Sequence, residues 1–272
     1  MKRQQLAINT VSLKGTFPDI LAGCAEAGFR NIEFVLGQVY GYLQEGHDTK
    51  SVRQLLQQHE LQCIGGFEGV VETFSDEESR KRNHARVVEN ARLLGELGAG
   101  TLVVGTDYTN ISEVEDATTR IAESFASLGQ QIAGTGVSLA IEFNWGVVKS
   151  LPLAAEISRR SGASNVGVLF DPAHYHCTPT KFEDLNAANV PFIKHVHVDD
   201  MNGKPAELSN CNSDRALPGQ GVLDLRAIYG AIEQHGYNGF FSIEMFSDEL
   251  WALPAHEAAQ QMYDSLLTLC ND

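Results

Sequence analysis

Eight short apolar runs, alternating with helix-period segments that often end at a glycine, constrain the fold of this chain more than any other feature. The runs cover residues 6–9, 31–35, 62–67, 101–105, 137–143, 166–170, 192–198 and 240–245. Nearly continuous apolar stretches of this kind are typical of parallel strands that are buried on both faces. Because helical segments separate nearly all of them, the pattern predicts an α/β fold in which eight β/α units close into a barrel.

The predicted barrel accounts for the whole chain. A (β/α)₈ barrel uses roughly 250 residues as one domain, the chain has 272 residues, and no Pro/Ser-rich linker interrupts it. We therefore expect residues 1–272 to form a single TIM-barrel domain. A doubly wound open sheet is the alternative, but no G-x-G-x-x-G motif follows the first strand.

Helix starts are predicted from side chains that can cap the first turn. Thr16 precedes one helical pattern as its N-cap, and Ser75 with Glu78, like Ser112 with Glu115, has the spacing of a capping box. These three positions are the predicted starts of three of the helices that cover the barrel.

The charge of the chain argues against a polyanionic partner. Twenty basic and 35 acidic residues give a net charge of −15. Binding to a phosphate backbone needs clustered Lys and Arg, and the only run of this kind, Arg80–Lys81–Arg82, lies in a helical pattern. We expect no nucleic-acid partner.

Cysteine spacing and the absence of long apolar runs together predict the cellular compartment of the protein. The five cysteines are widely spaced and form no C-x-x-C pair, which favours a reducing environment. The start MKRQQLAINT lacks the apolar core of a signal peptide, and no run approaches the ~20 residues that span a bilayer. We expect a soluble cytoplasmic protein without membrane contacts. The sequence leaves its oligomeric state open, and a homo-oligomer is compatible with it.

Four side chains mark the C-terminal ends of the fifth to eighth predicted strands. They are Glu142, Asp171, His197 and Glu244, separated by 29, 26 and 47 residues. Barrel closure brings consecutive strand ends to one side of the mouth, where active sites of such barrels lie. Three carboxylates and an imidazole suit one divalent ion such as Mn²⁺, Zn²⁺, Mg²⁺ or Co²⁺. Burying them without a cation would be costly, so the sequence predicts a metal site.

Three further histidines lie near these residues. His174 follows Asp171 in the run DPAHYH and is expected beside a substrate or behind a metal ligand. For His176 the same position and simple loop packing remain equal alternatives. His195 shares a strand face with His197, and we expect it one layer deeper as a hydrogen-bonded core residue.

Three other residues are candidates for substrate contacts. Arg215, in the motif DRALPGQG of a polar loop, could hold a substrate oxygen, or it could anchor the loop through an ion pair with Asp214 or Asp200. Glu68 and Trp145 follow predicted strands and are expected to line the mouth, with Trp145 as an apolar wall for a sugar face.

The chain resembles a known family through five segments. They are IEF, LFDPAHYH, HVHVDD, DRALPGQGVLDL and GFFSIEMF. Together they resemble the xylose isomerase-like TIM barrels, a superfamily of sugar isomerases, epimerases and endonucleases of the endonuclease IV type. Within it the chain is most similar to the inosose (2-keto-myo-inositol) isomerases, which have similar D-x-x-H-x-H, H-x-D-D and PGQG motifs. The resemblance covers essentially the whole chain.

The resemblance implies roles for the four strand-end residues. It makes Glu142, Asp171, His197 and Glu244 the ligands of one divalent ion, and Glu142 and Glu244 the acid/base pair. It implies an isomerase of a small polyhydroxy ketone, with inosose as the expected substrate and with proton transfer through a cis-enediolate. The ion would act as a Lewis acid on the ketone.

The same barrel can support other functions, and the residues of this chain bear on them. Ketose 3-epimerases carry an Arg six residues after the ligand His, where this chain has Gly203. A hydroxypyruvate-type isomerase, a dehydratase of the 3-dehydroshikimate type and a non-catalytic metal- or sugar-binding barrel remain alternatives. An endonuclease IV-type nuclease would need extra histidines after the second and third strands, and the chain has none there.

Overall fold

In the computed structural model, which describes residues 1–112 and 114–270, the eight predicted strands form one closed parallel barrel. The barrel strands are β1 Leu6–Asn9, β2 Asn31–Val35, β3 Gln62–Val71, β4 Thr101–Thr106, β5 Ser138–Glu142, β6 Val166–Phe170, β7 Ile193–Val198 and β10 Phe241–Ile243. The order around the barrel is β1-β2-β3-β4-β5-β6-β7-β10, and β10 pairs with β1 through Ile8 and Ile243. The prediction of a (β/α)₈ barrel is confirmed.

Helices cover the outside of the barrel between successive strands. They are α1 Phe17–Ala27, α2 Leu36–Gln44, α3 Thr49–Gln58, α4 Glu77–Glu96, α5 Ala117–Ile132, α6 Leu151–Ser161, α7 Pro172–His176, α8 Leu225–Gln234, α9 Asp248–Trp251 and α10 Ala255–Leu267. The polar loop after β7 contains a small antiparallel ladder of β8, Asp200–Met201, and β9, Arg215–Ala216. None of the described helices is both long and apolar enough to cross a membrane.

The helix starts were predicted with mixed success. Thr16 caps α1 by accepting a hydrogen bond from a backbone amide, as expected. The capping box at Ser75 is wrong, because Asp76 caps α4 and accepts from the Ser79 amide at 2.9 Å. The box at Ser112 is also wrong, because α5 begins only at Ala117.

The interior of the barrel divides into an apolar and a polar half. On the side of β3 to β6 the inward-facing side chains form a small apolar cluster that is separate from the main core. Its members are Phe67, Val103, Ala140 and Leu169. The side formed by β1, β2 and β7 buries polar residues instead, namely Asn9, Glu33, His195 and His197. The main apolar core lies between the strands and the helices. Below the mouth, the buried Glu33 and His195 therefore lie on only one side of the barrel interior.

Candidate active site

The four residues at the strand ends converge at the mouth of the barrel. Glu142 is the last residue of β5, His197 is the next to last of β7, and Asp171 and Glu244 directly follow β6 and β10. All four are buried, and one potential ligand atom from each lies within 4.8 Å of the others. We call this set the acidic centre. Its convergence follows from barrel closure, whereas its role in metal binding stays a prediction.

His197 links the acidic centre to the layer below it. Its Nδ1 lies 3.3 Å from carboxylate oxygens of both Asp171 and Glu244, and its Nε2 lies 3.1 Å from Glu33. Burial disfavours the charged imidazole, but the surrounding carboxylates outweigh it, so the pKa of His197 is well above its usual range. With a proton on Nε2 donated to Glu33, the Nδ1 lone pair can face a cation in the acidic centre.

Glu33 is a site residue that the sequence analysis missed. It lies on β2, is completely buried, and contacts Nε2 of both His195, at 3.0 Å, and His197. Because β2 and β7 are not neighbours, these contacts cross the barrel interior. Burial opposes ionisation of Glu33, but the two histidines outweigh it and hold its pKa well below the usual range. The sequence does contain a signal for Glu33, because it is a charged residue inside the otherwise apolar run NIEFV. Buried carboxylates are almost always paired, so this position indicates a buried partner.

Arg215 reaches the acidic centre from the polar loop. Its guanidinium lies 2.5 Å from Asp199, 3.0 Å from Asp171 and 3.1 Å from the Glu244 carboxylate. It also donates to the backbone carbonyl of Glu244 at 2.9 Å. Its side chain is fully buried, so the three ion pairs are shielded from solvent and hold the loop on the mouth.

The predicted alternative partners of Arg215 are wrong. Asp214 pairs with Lys204 at 2.6 Å, and Asp200 accepts hydrogen bonds from backbone amides of the PGQG turn at 3.0 and 3.1 Å. Arg215 is anchored instead by Asp199, Asp171 and Glu244.

Asp171 and His174 connect the acidic centre to α7. One oxygen of Asp171 caps α7 by accepting from the His174 amide at 3.0 Å, while the other contacts His197 and Arg215. Burial opposes its ionisation, but Arg215 and the histidines hold the pKa of Asp171 well below its usual range. His174 Nε2 lies 2.8 Å from Glu142. His176 instead contacts the Lys204 carbonyl at 3.3 Å, which is loop packing.

Glu142 has a different environment from Asp171. Burial raises the pKa of Glu142, and the hydrogen bond from His174 only partly offsets this. Glu244 is oriented by the Asn9 side-chain amide, which donates to it at 3.0 Å. Two glutamates in unlike surroundings therefore face each other across the mouth, an arrangement that suits a proton acceptor and a proton donor.

A cavity of about 280 Å³ opens above the acidic centre. It is lined by Phe67, Glu142, Trp145, His174, Cys211, Asn212, Arg215, Glu244 and Phe246. A wider groove of about 980 Å³ adjoins it and shares three of these residues. Trp145 is thus placed where the sequence predicted an apolar wall.

Glu68 is not among the residues that line this cavity. Its neighbour Phe67 faces the cavity, and successive residues of a strand point to opposite faces. Glu68 therefore points toward α4, where it forms an ion pair of 3.0 Å with Arg86. The structure thus places Glu68 outside this cavity, and a substrate contact of Glu68 stays a prediction.

The acidic centre fits one divalent ion. Its three carboxylates have one guanidinium and one imidazole beside them as cationic or nitrogen partners. One oxygen of the neighbouring Asp199 is buried without a hydrogen-bond partner among the described residues. Such a set of oxygen donors with one nitrogen suits Mn²⁺, Zn²⁺, Mg²⁺ or Co²⁺. Glu142, Asp171, Nδ1 of His197 and Glu244 would hold the ion, and Glu33 would orient His197 from behind.

Comparisons with known proteins agree with this architecture. The sequence profile of the xylose isomerase-like TIM barrel family matches residues 21–269. The chain is 33% identical to an inosose isomerase of Bacillus velezensis over 139 residues, which is 50% of this chain and 49% of that protein. It is 28% identical to a 3-dehydroshikimate dehydratase of Pseudomonas aeruginosa over 275 residues, 97% of this chain and 42% of that protein.

The solved structures give the same fold. A crystal structure of the IolI protein with a bound zinc atom superimposes with a TM-score of 0.88 at 24% identity, covering 97% of each chain. The chain spans about half the length of the curated relatives it matches.

Proposed function

Because this chain belongs to the xylose isomerase-like TIM barrel family, we propose that it is a divalent-metal-dependent isomerase of a small polyhydroxy ketone. The proposed substrate is inosose, 2-keto-myo-inositol, and the proposed catalytic unit is the single barrel of residues 1–272. The similarity to inosose isomerases supports this choice.

The observation that carries the proposal is the placement of Glu142 and Glu244. Both carboxylates are buried, they come from the non-adjacent strand ends of β5 and β10, and both line the same cavity. A ketone held between them would have one carboxylate near each of two neighbouring carbons. This arrangement suits a 1,2-proton transfer, in which one carboxylate removes a proton and a carboxylic acid returns one.

The proposed mechanism assigns a task to each residue. Glu142, Asp171, His197 and Glu244 would hold one divalent ion, which would polarise the ketone and make the adjacent C–H more acidic. One of Glu142 and Glu244 removes that proton to give a cis-enediolate. The proton of the adjacent hydroxyl passes to the former ketone oxygen, and a protonated glutamate of the pair returns a proton to the neighbouring carbon, so that no atoms are gained or lost.

The surrounding residues orient these groups. His174 holds Glu142 through a hydrogen bond of 2.8 Å, and Asn9 holds Glu244 at 3.0 Å. Trp145 and Phe67, which contact each other edge to face, form an apolar wall that excludes water from the enediolate.

Proton NMR in D₂O tests this function directly. Metal-reconstituted protein in catalytic amounts should wash out the α-proton of 2-keto-myo-inositol and produce a second inosose. Wash-out with other ketoses alone would keep the chemistry but change the substrate. No exchange across a panel of ketoses would contradict the isomerase.

Substitution of the two glutamates tests their roles. Glu142→Gln and Glu244→Gln keep the shape of each side chain but remove its proton-transfer ability, so each should lower the exchange rate by a factor of about 10² or more. Glu68→Gln, at an ion pair outside the cavity, is the matched control and should leave the rate unchanged. A Glu244→Gln protein of near-normal activity would contradict the assignment.

A dehydratase is the second candidate. The similarity to 3-dehydroshikimate dehydratase extends over 97% of this chain, and loss of water from an enolate shares the first proton abstraction with isomerisation. A new ultraviolet absorbance during turnover of 3-dehydroshikimate or inosose, without a second inosose, would favour the dehydratase.

A further inference from the structure

We propose that this site accepts only uncharged ketones and rejects those that carry a carboxylate or a phosphate. The inference rests on the proposed function in placing the substrate in the cavity above the acidic centre. It is carried by the charges around that cavity, because the one guanidinium there is fully engaged by the protein itself.

Arg215 is the only Lys or Arg among the described residues that line the cavity. Its terminal nitrogens contact the carboxylates of Asp199, Asp171 and Glu244, and also the Glu244 carbonyl. Its Nε donates to the Cys211 carbonyl at 2.8 Å. A substrate anion would have to displace one of these buried carboxylates, leaving that carboxylate without its charged partner. Breaking a buried ion pair in this way is strongly unfavourable.

The lysines of the surrounding loops do not supply a replacement. Lys149 donates to the Asn144 carbonyl at 3.1 Å, and Lys204 pairs with Asp214 at 2.6 Å. Neither lines the cavity. Among the described residues that line the cavity, an anionic substrate would therefore meet no lysine or arginine that is free to bind it.

Acidic side chains outnumber cationic ones around the site. Five buried carboxyl groups, those of Glu33, Glu142, Asp171, Asp199 and Glu244, lie at or just below the mouth, together with the one guanidinium of Arg215. The net charge of −15 for the whole chain adds a repulsive field at longer range.

An uncharged polyol suits the same lining. Its hydroxyl groups can donate hydrogen bonds to Glu142 and Glu244. An ionised carboxylate can only accept hydrogen bonds, so these donors suit it. Its C–H faces can pack against the rings of Phe67, Trp145 and Phe246, which line the cavity. Apart from the proposed divalent ion, the lining therefore offers acceptors and apolar surface, with no free Lys or Arg for a negative group.

A matched pair of ligands tests the proposal by binding. Dihydroxyacetone and hydroxypyruvate differ in whether a CH₂OH or a carboxylate adjoins the ketone. In ligand-observed NMR titrations of the metal-free protein, hydroxypyruvate should bind at least about tenfold more weakly, equivalent to about 1.4 kcal/mol. Equal or tighter binding of hydroxypyruvate, or no detectable binding of either ketone, would overturn the proposal. Catalytic turnover of 3-dehydroshikimate would also overturn it.

A gain-of-function variant checks the electrostatic cause. Asn212 is exposed on the loop and lines the cavity. Asn212→Lys introduces an unpaired cation there and should tighten hydroxypyruvate binding about tenfold, whereas the control Asn212→Gln should not. No gain in the Lys variant would contradict the charge argument. The isomerase is tested separately by α-proton exchange, so neutral-ketone binding without exchange would reject the proposed function while retaining this selectivity.

Discussion

At the scale of single residues, Glu33 shows what sequence spacing could not predict. The acidic centre was predictable because its members recur at strand ends, one barrel unit apart. Glu33 lies 164 positions from its partner His197, on a strand that does not pair with the strand of His197. No local pattern links the two, although a carboxylate inside an apolar strand indicates that a partner exists somewhere.

Glu33 can be tested as a positioning residue. Because it accepts the Nε2 proton of His197, Glu33→Gln should loosen the orientation of that ring and lower divalent-metal affinity by a factor of about 10 to 100. Isothermal titration with Mn²⁺ measures this. Glu68→Gln provides the matched control, with unchanged affinity expected. Equal affinities for wild type and Glu33→Gln would contradict the role.

Arg215 carries a stability prediction at the same scale. Arg215→Met removes the cation from among three buried carboxylates, so the free energy of unfolding of the metal-free protein should fall by about 3–5 kcal/mol. Urea denaturation followed by circular dichroism measures this loss.

Its control is Lys81→Met, which breaks an exposed ion pair with Glu77 on α4. That change should have little effect on stability, because exposed pairs contribute little. If Arg215→Met were no more destabilising than Lys81→Met, the guanidinium would not be balancing the buried charge.

At the scale of elements, strands were predicted better than helix starts. The bounds of β1, β2 and β6 agree with the apolar runs to the residue, because both faces of these strands are buried. The start of α4 depends on which of Ser75 and Asp76 turns its side chain back onto the first turn. That choice is made by the geometry of the preceding loop, which spacing alone does not contain.

Besides the ion pairs of Arg215, the carboxylate of Asp200 holds the loop that carries this residue. Asp200 accepts hydrogen bonds from the amides of Gly219, Gly221 and Leu223 at 2.9 to 3.1 Å. A Cβ on Gly221 would lie only 2.3 Å from this carboxylate, so glycine is required for the close approach. Asp200 therefore ties the PGQG turn to β8 and stabilises the loop.

Limited proteolysis tests whether Asp200 stabilises the loop. Asp200→Ala should free the loop and raise chymotrypsin cleavage after Leu208, which is 74% exposed, by about tenfold or more. Asp200→Asn, which keeps one oxygen acceptor, should give a smaller increase. Cleavage of Asp200→Ala at the wild-type rate would show that other contacts hold the loop.

At the scale of the whole molecule, the interior of the barrel has an apolar half and a polar half. Apolar side chains of β3 to β6 fill one half, while the other half buries Glu33 and two histidines beneath the mouth. The closure of the barrel was predictable from the number and type of strands. The division of its interior was not, because it depends on contacts between strands that are distant in sequence.

The central claim is that the acidic centre, and not the cluster below it, holds one divalent ion. Glu33, His195 and His197 also place ligand atoms within 4.8 Å of one another, so the two locations can be distinguished experimentally. Crystals soaked with Mn²⁺ and measured at its absorption edge should show a single anomalous peak. We expect it about 2.0–2.6 Å from Glu142, Asp171, Nδ1 of His197 and Glu244. A peak among Glu33, His195 and Nε2 of His197, or no peak at all, would contradict the account.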